Sequence, residues 1–195
     1  MASGAMKKLV RKVLSDRAKA SIDQNSAKKM VLDIEKWPQE WHDRIKDAKV
    51  VAAYMPIKDE LLLDAWILSL RLQKKTICLP RVEDEDIVFY AVTDEKDLQV
   101  GSYGIREPKE GLAAVQKECI DIMLIPASAY GMDGKRLGRG KGYYDRYLDG
   151  NTSSRNCRAY LIGVVPESNL LKKVPFEEWD VSVDAIVTDK RFIEV

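Results

Sequence analysis

The sequence predicts a single three-layer α/β/α domain with a mixed, mostly parallel sheet. Two observations carry this expectation. Short apolar runs alternate with segments of helical period, which is the pattern of β-α layering. One such run, Ile120 to Pro126, leads through a glycine-rich basic stretch to a helix start at Tyr143. Ligands in such folds gather at the carboxyl ends of the strands. The short links beyond the first half also permit some antiparallel strands. No internal repeat, low-complexity tract or linker interrupts the chain. Residues 6–195 are therefore read as one domain, and residues 1–5 as a tag remnant before a native Met6.

Taken in order, residues 6–20 read as a helix, with Leu9, Val10, Val13 and Leu14 at helical spacing. Lys7 and Arg11 are four apart and share a face. That face is either a solvated basic stripe or a two-pronged phosphate clamp. Residues 25–46 read as a second helix, broken near Pro38. His42, the only histidine, lies between Trp41 and Asp43 and reads as a surface or packing residue. A Ser-His or Cys-His catalytic pair thus has one poorly placed candidate. Strands are expected over 49–55, 76–79, 87–92, 120–125, 160–165 and 183–187, with an edge strand over 192–195. A helix is expected over 60–72, with Leu61, Leu62, Ala65, Trp66 and Leu68 on a broad apolar face. Gly101 to Pro108 is expected to be a loop. Tyr103 within it is either a ring platform for a ligand or a cover for the core edge.

Composition narrows the function classes. A net charge of +1 gives no global field for nucleic acid. Residues 131–158 hold seven Lys and Arg against three Asp, and this local excess favours a compact anionic ligand. Cys78, Cys119 and Cys157 are odd in number and far apart, with no C-x-x-C. A reduced, cytoplasmic protein without disulfides or a zinc cage is expected. No apolar run approaches the ~20 residues that span a bilayer, so no membrane partner is expected.

The stretch that organises the chain is Gly131 to Asp145. It holds five of the eleven glycines, with Lys135, Arg136, Arg139 and Lys141 among them. Glycines let backbone N–H groups wrap an anion, and a helix N-terminus adds partial positive charge. The stretch is not a Walker A loop, because Gly140-Lys141 is followed by Gly142 rather than Ser or Thr. Nor is it the Rossmann fingerprint, because Gly138-x-Gly140 meets Tyr143 where a third glycine belongs. The plain reading of such a loop is a flexible surface segment. Four cations, the helix entry and Tyr143-Tyr144-Asp145 favour a phosphate cradle instead.

Arg136 and Leu137-Gly-Arg-Gly-Lys-Gly-Tyr-Tyr-Asp145, with Ile125-Pro-Ala127 upstream, resemble the signature of the 5-formyltetrahydrofolate cyclo-ligases (methenyltetrahydrofolate synthetases). The resemblance runs over nearly the whole chain. Lys7-x-x-x-Arg11 resembles the family's N-terminal nucleotide-binding pair. Tyr54 to Glu60 resembles the segment that carries its folate-binding glutamate. Leu79-Pro-Arg81, Phe89-Tyr90, Gly101 to Ile105, Glu107-Pro108 and Val183 to Thr188 follow in the expected order. The chain departs from the pattern at Arg106, where the family often has proline, and at Trp179, where it often has histidine before Asp180.

The resemblance implies an ATP-dependent ring closure of 5-formyltetrahydrofolate to 5,10-methenyltetrahydrofolate, releasing ADP and phosphate. ATP would be the co-substrate and Mg2+ the metal. Phosphoryl transfer needs positioning and charge neutralisation more than a histidine. It implies that the backbone of Gly138, Gly140 and Gly142 cradles phosphates, with Leu137, Tyr143 and Tyr144 alongside. Arg136, Arg139 and Lys141 would neutralise the transferred phosphoryl group, a kind of interaction often worth ~3 kcal/mol per donor. Lys7 and Arg11 would close on the nucleotide, and Asp145 and Asp180 would hold Mg2+. Glu60 would accept from the pterin, with Met55, Tyr103, Tyr143 and Tyr144 lining the folate site. Each has a structural alternative: Asp145 and Glu60 suit a first helical turn on dipole grounds alone, and either tyrosine can be core. A monomer is expected. Two other classes stay open. A sugar-phosphate isomerase or CoA-type transferase would need a proton-abstracting or acyl-capturing residue, and none stands out with a supporting motif. A nucleic-acid binder using Tyr143 and Tyr144 as a stacking platform conflicts with the near-zero net charge.

Overall fold

The computed structural model describes residues 2–22, 37–57, 59–101, 104–148 and 159–195. In chain order its elements begin with α1 (Ala2–Ile22), α2 (Gln39–Asp47), β1 (Val50–Ala52), α3 (Asp64–Leu72), β2 (Thr76–Glu83) and β3 (Asp86–Ala91). β4 (Leu98–Val100), β5 (Arg106–Pro108), β6 (Ile122–Pro126), β7 (Ala129–Gly131) and β8 (Arg136–Leu137) follow. The chain ends with α4 (Tyr143–Tyr147), β9 (Tyr160–Val164), β10 (Leu170–Leu171), β11 (Ala185–Val187) and β12 (Phe192–Glu194).

The main sheet has seven strands in the order β12-β11-β9-β6-β1-β2-β3. The run β11-β9-β6-β1-β2 is parallel, and β12 and β3 close its edges antiparallel. This is the mixed, mostly parallel sheet that the sequence predicts. The central strands are short and apolar because both faces are covered. Val51 and Ala53 point to one face and Ala52 to the other, and all three are fully buried. α2 and α3 cover the first face through Trp41, Ile45, Trp66 and Leu70. The second face lies under α4 and the small sheet β10-β7-β8, where Tyr130 and Tyr144 enter the core.

Strand order reverses between β1 and β6, since β2 lies to one side of β1 and β6 to the other. The loops leaving β1 and β6 diverge there, opening the crevice in which doubly wound sheets bind ligands. Glu60 follows β1, and the glycine stretch follows β6.

Three expectations change. The strand before the glycines does not run straight into them. β7 and β8 form an antiparallel pair in between, turned by Asp133 and Gly134, with Gly134 at φ +76°. Asp-Gly between strand-forming residues is a hairpin signal, and it explains Gly134 without any ligand. Gly101 to Pro108 is not wholly irregular, because β5 pairs antiparallel with β4. The helix expected from residue 60 begins at Asp64, since Glu60 turns back to accept from the Ile57 amide at 3.1 Å. Residues 25–36 of the second expected helix, together with Tyr103 and Cys157, lie outside the described residues. Cys78 and Cys119 are free thiols, and burial pushes the Cys78 thiol up to about 12. Among the described residues no helix is long and apolar enough to cross a membrane.

Candidate active site

The site begins with α1. Leu14 is buried against Ala129, Leu137 and Val174. Arg11 and Lys7 lie on the same stripe, one and two turns toward the N-terminus respectively. Docking Leu14 on the small sheet therefore carries both cations to the glycine stretch. Arg11 Nε donates to the Gly138 carbonyl at 2.7 Å. Lys7 is 7% exposed, and its Nζ donates to Asp180 Oδ2 and Glu177 Oε2, both at 2.5 Å. Burial alone lowers the Lys7 pKa, but the bonds and charges of Asp180 and Glu177 outweigh it and raise the pKa overall. This clasp is fully present below the ordinary lysine value and is lost as pH rises through the raised one.

Arg136, Arg139 and Lys141 have different settings. Arg136 is 6% exposed. It donates to the Pro126 carbonyl at 3.2 Å and to Asp145 at 3.2 and 3.4 Å, and its guanidinium lies 5.1 Å from the Tyr144 ring centre. Asp145 also accepts from the Val181 amide at 3.2 Å. Arg139 turns the other way and donates twice to Glu60 Oε1, at 3.1 and 3.0 Å. Burial raises the Glu60 pKa, and Arg139 opposes that rise. Lys141 is exposed, and among the described residues nothing pairs with its ammonium.

Gly140 and Gly142 have φ of +101° and +71°, a region in which other residues are strained. A Cβ on Gly138 would come within 2.7 Å of the Arg136 guanidinium. The glycines thus let the loop pass close over Arg136 and turn into α4. That helix is only five residues long and has no side-chain cap.

Most of these groups line one open cleft of about 790 Å3. Of the expected residues, Lys7, Arg11, Arg136, Leu137, Gly138, Gly140, Gly142, Asp145 and Asp180 face it. Arg139 and Lys141 do not. Tyr144 is buried in the core beside Phe89, and burial raises its pKa far above the ordinary value. Tyr143 is half-buried under the Arg146 guanidinium. Met55 packs against the core beneath α3. His42 is half-buried on α2, away from the cleft.

Sequence reasoning did not single out Asp86, Arg146 or Glu177, and noted Trp179 only as a departure from the family pattern; all four also line the cleft. Two signals pointed to Arg146 and Glu177. Arg146 lies one turn beyond Gly142, and Glu177 precedes Asp180 by three, the spacing of a turn. Asp180 closes that turn by accepting from the Glu177 amide at 2.6 Å.

The mouse 5-formyltetrahydrofolate cyclo-ligase is 27% identical over 154 residues, covering 75% of this chain and 76% of that protein. The Mycoplasma pneumoniae 5-formyltetrahydrofolate cyclo-ligase is 30% identical over 184 residues, covering 92% of each. The NMR structure of Aquifex aeolicus 5,10-methenyltetrahydrofolate synthetase superposes with a TM-score of 0.69 at 30% identity, over all of this chain and 93% of that one. The structure of a 5,10-methenyltetrahydrofolate synthetase from Mycoplasma pneumoniae shares the fold, with a TM-score of 0.59 at 24% identity, over 97% of this chain and all of that one. A family model described as the 5-formyltetrahydrofolate cyclo-ligase family matches residues 4–189, and the chain belongs to that family.

Proposed function

We propose that this chain converts 5-formyltetrahydrofolate and ATP to 5,10-methenyltetrahydrofolate, ADP and phosphate. The observation that carries the proposal is one of convergence. Residues from the first helix, the glycine stretch and the C-terminal turn line one cleft, and Arg139 of the same loop is hydrogen-bonded to a buried carboxylate, Glu60.

The formyl oxygen attacks the γ-phosphorus, forming an O–P bond as the bond to ADP breaks. N10 then attacks the formyl carbon, loses its proton to solvent, and the phosphate leaves with the former formyl oxygen. The chain's own part is to hold and neutralise. Loop amides around Gly138 to Gly142 donate to the phosphate oxygens, and Arg11 fixes the loop from α1. Arg139 and Lys141 have exposed charge to offer the transferred phosphoryl group. Arg136, already committed to Asp145, keeps the loop in register. Glu60 accepts from the N–H donors of the pterin, with Met55, Tyr103 and Tyr143 around the folate.

Asp145 and Asp180 fit a nucleotide-bound Mg2+. Mg2+ is held by one or two carboxylates together with phosphate oxygens and water, and these two carboxylates line the cleft. Among the described residues no cluster of three or more His, Cys, Asp or Glu forms an all-protein cage. When bound there, Mg2+ would offset charge on the phosphates. The absence of a histidine base is no obstacle to chemistry of this kind.

The test is absorbance of the methenyl product in a mixture of protein, 5-formyltetrahydrofolate, Mg2+ and ATP. The expected result is a rise that vanishes when ATP is omitted. No rise from folded protein that binds ATP would end the folate assignment.

A further inference from the structure

Arg139 stands between Gly138 and Gly140, both of which face the cleft, yet its own side chain does not. It is held instead by Glu60, 79 residues earlier in the chain, through two hydrogen bonds to one oxygen. The two partners differ in freedom. The Glu60 side chain is 7% exposed and the Arg139 side chain 42%. Glu60 is rooted by the Ile57 amide on its other oxygen, so the movable member of the pair is the arginine.

A buried carboxylate cannot release its cation into nothing, because an unpaired buried charge is costly. It can exchange one donor set for another. The 2-aminopyrimidinone edge of a reduced folate presents neighbouring N–H donors that suit a carboxylate. A guanidinium displaced from Glu60 is then free to swing on its long side chain toward the phosphate cleft, whose loop carries its own backbone.

We infer that Glu60 is a positioning residue for Arg139, holding it out of the phosphate site until the pterin of the folate takes its place. The inference rests on the function proposed above and adds a coupling between its two substrates. Folate binding delivers a cation to the nucleotide, so each ligand tightens the other by the same factor. The device also limits ATP turnover without folate, since the cation that would neutralise the transferred phosphoryl group is engaged elsewhere.

The test is calorimetric titration of the full chain with β,γ-methylene ATP and Mg2+, with and without saturating 5-formyltetrahydrofolate. In the wild type, folate is expected to raise the analogue's affinity about tenfold, within the usual range of coupling between sites. Glu60→Gln removes the charge that restrains Arg139. It is expected to bind the analogue without folate nearly as tightly as the folate-saturated wild type, with little further gain. Arg139→Ala is expected to bind weakly with or without folate. Two ligands that bind the wild type independently would overturn the coupling while leaving the proposed function intact. Glu60→Gln that binds the analogue no better than folate-free wild type would overturn the restraint. A wild type that binds neither ligand would overturn the proposed function and this inference with it.

Discussion

Arg136 and Arg139 stand three residues apart in one loop and each pairs with a carboxylate, but the two pairs are unlike. Arg136 is sealed. Its partner Asp145 is nearby in sequence, its remaining donors reach the Pro126 carbonyl, and Tyr144 covers it. Arg139 reaches across the crevice to a residue that follows a different strand, and keeps much of its surface in water. The difference separates a cation that holds the loop from one that can leave its partner. A motif rich in Arg and Lys does not say which is which, whereas burial does.

The largest expected effect comes from breaking the sealed pair. Arg136→Met leaves Asp145, whose side chain is only 20% exposed at the cleft, without its cation. Removing one partner of a buried pair commonly costs about 3–5 kcal/mol, and urea denaturation is expected to record a loss in that range. A loss well below 1 kcal/mol would mean that Arg136 is no more structural than Arg139.

A smaller effect tests the support behind that pair. Tyr130 is fully buried and donates to the Ile125 carbonyl at 2.9 Å. A Cβ on Gly163 of β9 would come within 2.5 Å of its ring. Gly163→Ala is expected to cost about 1–3 kcal/mol by overpacking, measured by thermal unfolding, with turnover reduced only as far as the loop shifts. An unchanged melting temperature would show that the Tyr130 layer has room to yield.

The Arg139–Glu60 pair has a pH signature. Burial raises the folded pKa of Glu60 above the ordinary 4.5. The folded state therefore holds the proton more tightly than the unfolded one. Any stability arising from that proton is present below 4.5 and is lost as pH rises through the folded value. Glu60→Gln cannot ionise, so its stability relative to wild type is expected to improve over that rise. A difference that stays flat with pH would mean that Glu60 titrates as if in water.

The smallest signal is spectroscopic. Trp179 is 64% exposed on the cleft, whereas Trp37, Trp41 and Trp66 are buried. ATP entering the cleft is expected to change the red-shifted part of the tryptophan emission, and Trp179→Phe is expected to remove that change. An equal change in the variant would place the nucleotide elsewhere.

Much of this was legible in the sequence, for physical reasons. Apolar runs such as Ile122 to Ile125 announce strands buried on both faces. Lys7 and Arg11 share a stripe with Leu14, so a local period carried the direction of two cations. What the sequence withheld depends on contacts distant in the chain. The Asp133-Gly134 hairpin was masked by the glycines around it. Nothing local reveals that Arg139 meets Glu60 while Arg136 meets Asp145. Trp179 stood out only as a departure from a pattern, and its position on the cleft is set by the turn that Asp180 closes.

The most direct measurement compares methenyl formation and thermal stability in Arg139→Ala and Lys141→Ala with the wild type. The Lys141 side chain is solvent-facing, so Lys141→Ala is expected to melt within a few degrees of wild type, whereas Arg139→Ala strands the buried Glu60 and is expected to melt lower, by less at a pH where Glu60 is protonated. Turnover is expected to fall about 100-fold or more in each, the usual effect of removing a group that meets developing charge. Either variant turning over at the wild-type rate would contradict its assignment as a phosphate-neutralising cation. If both did so, the glycine stretch would be a structural turn rather than the centre of the chemistry.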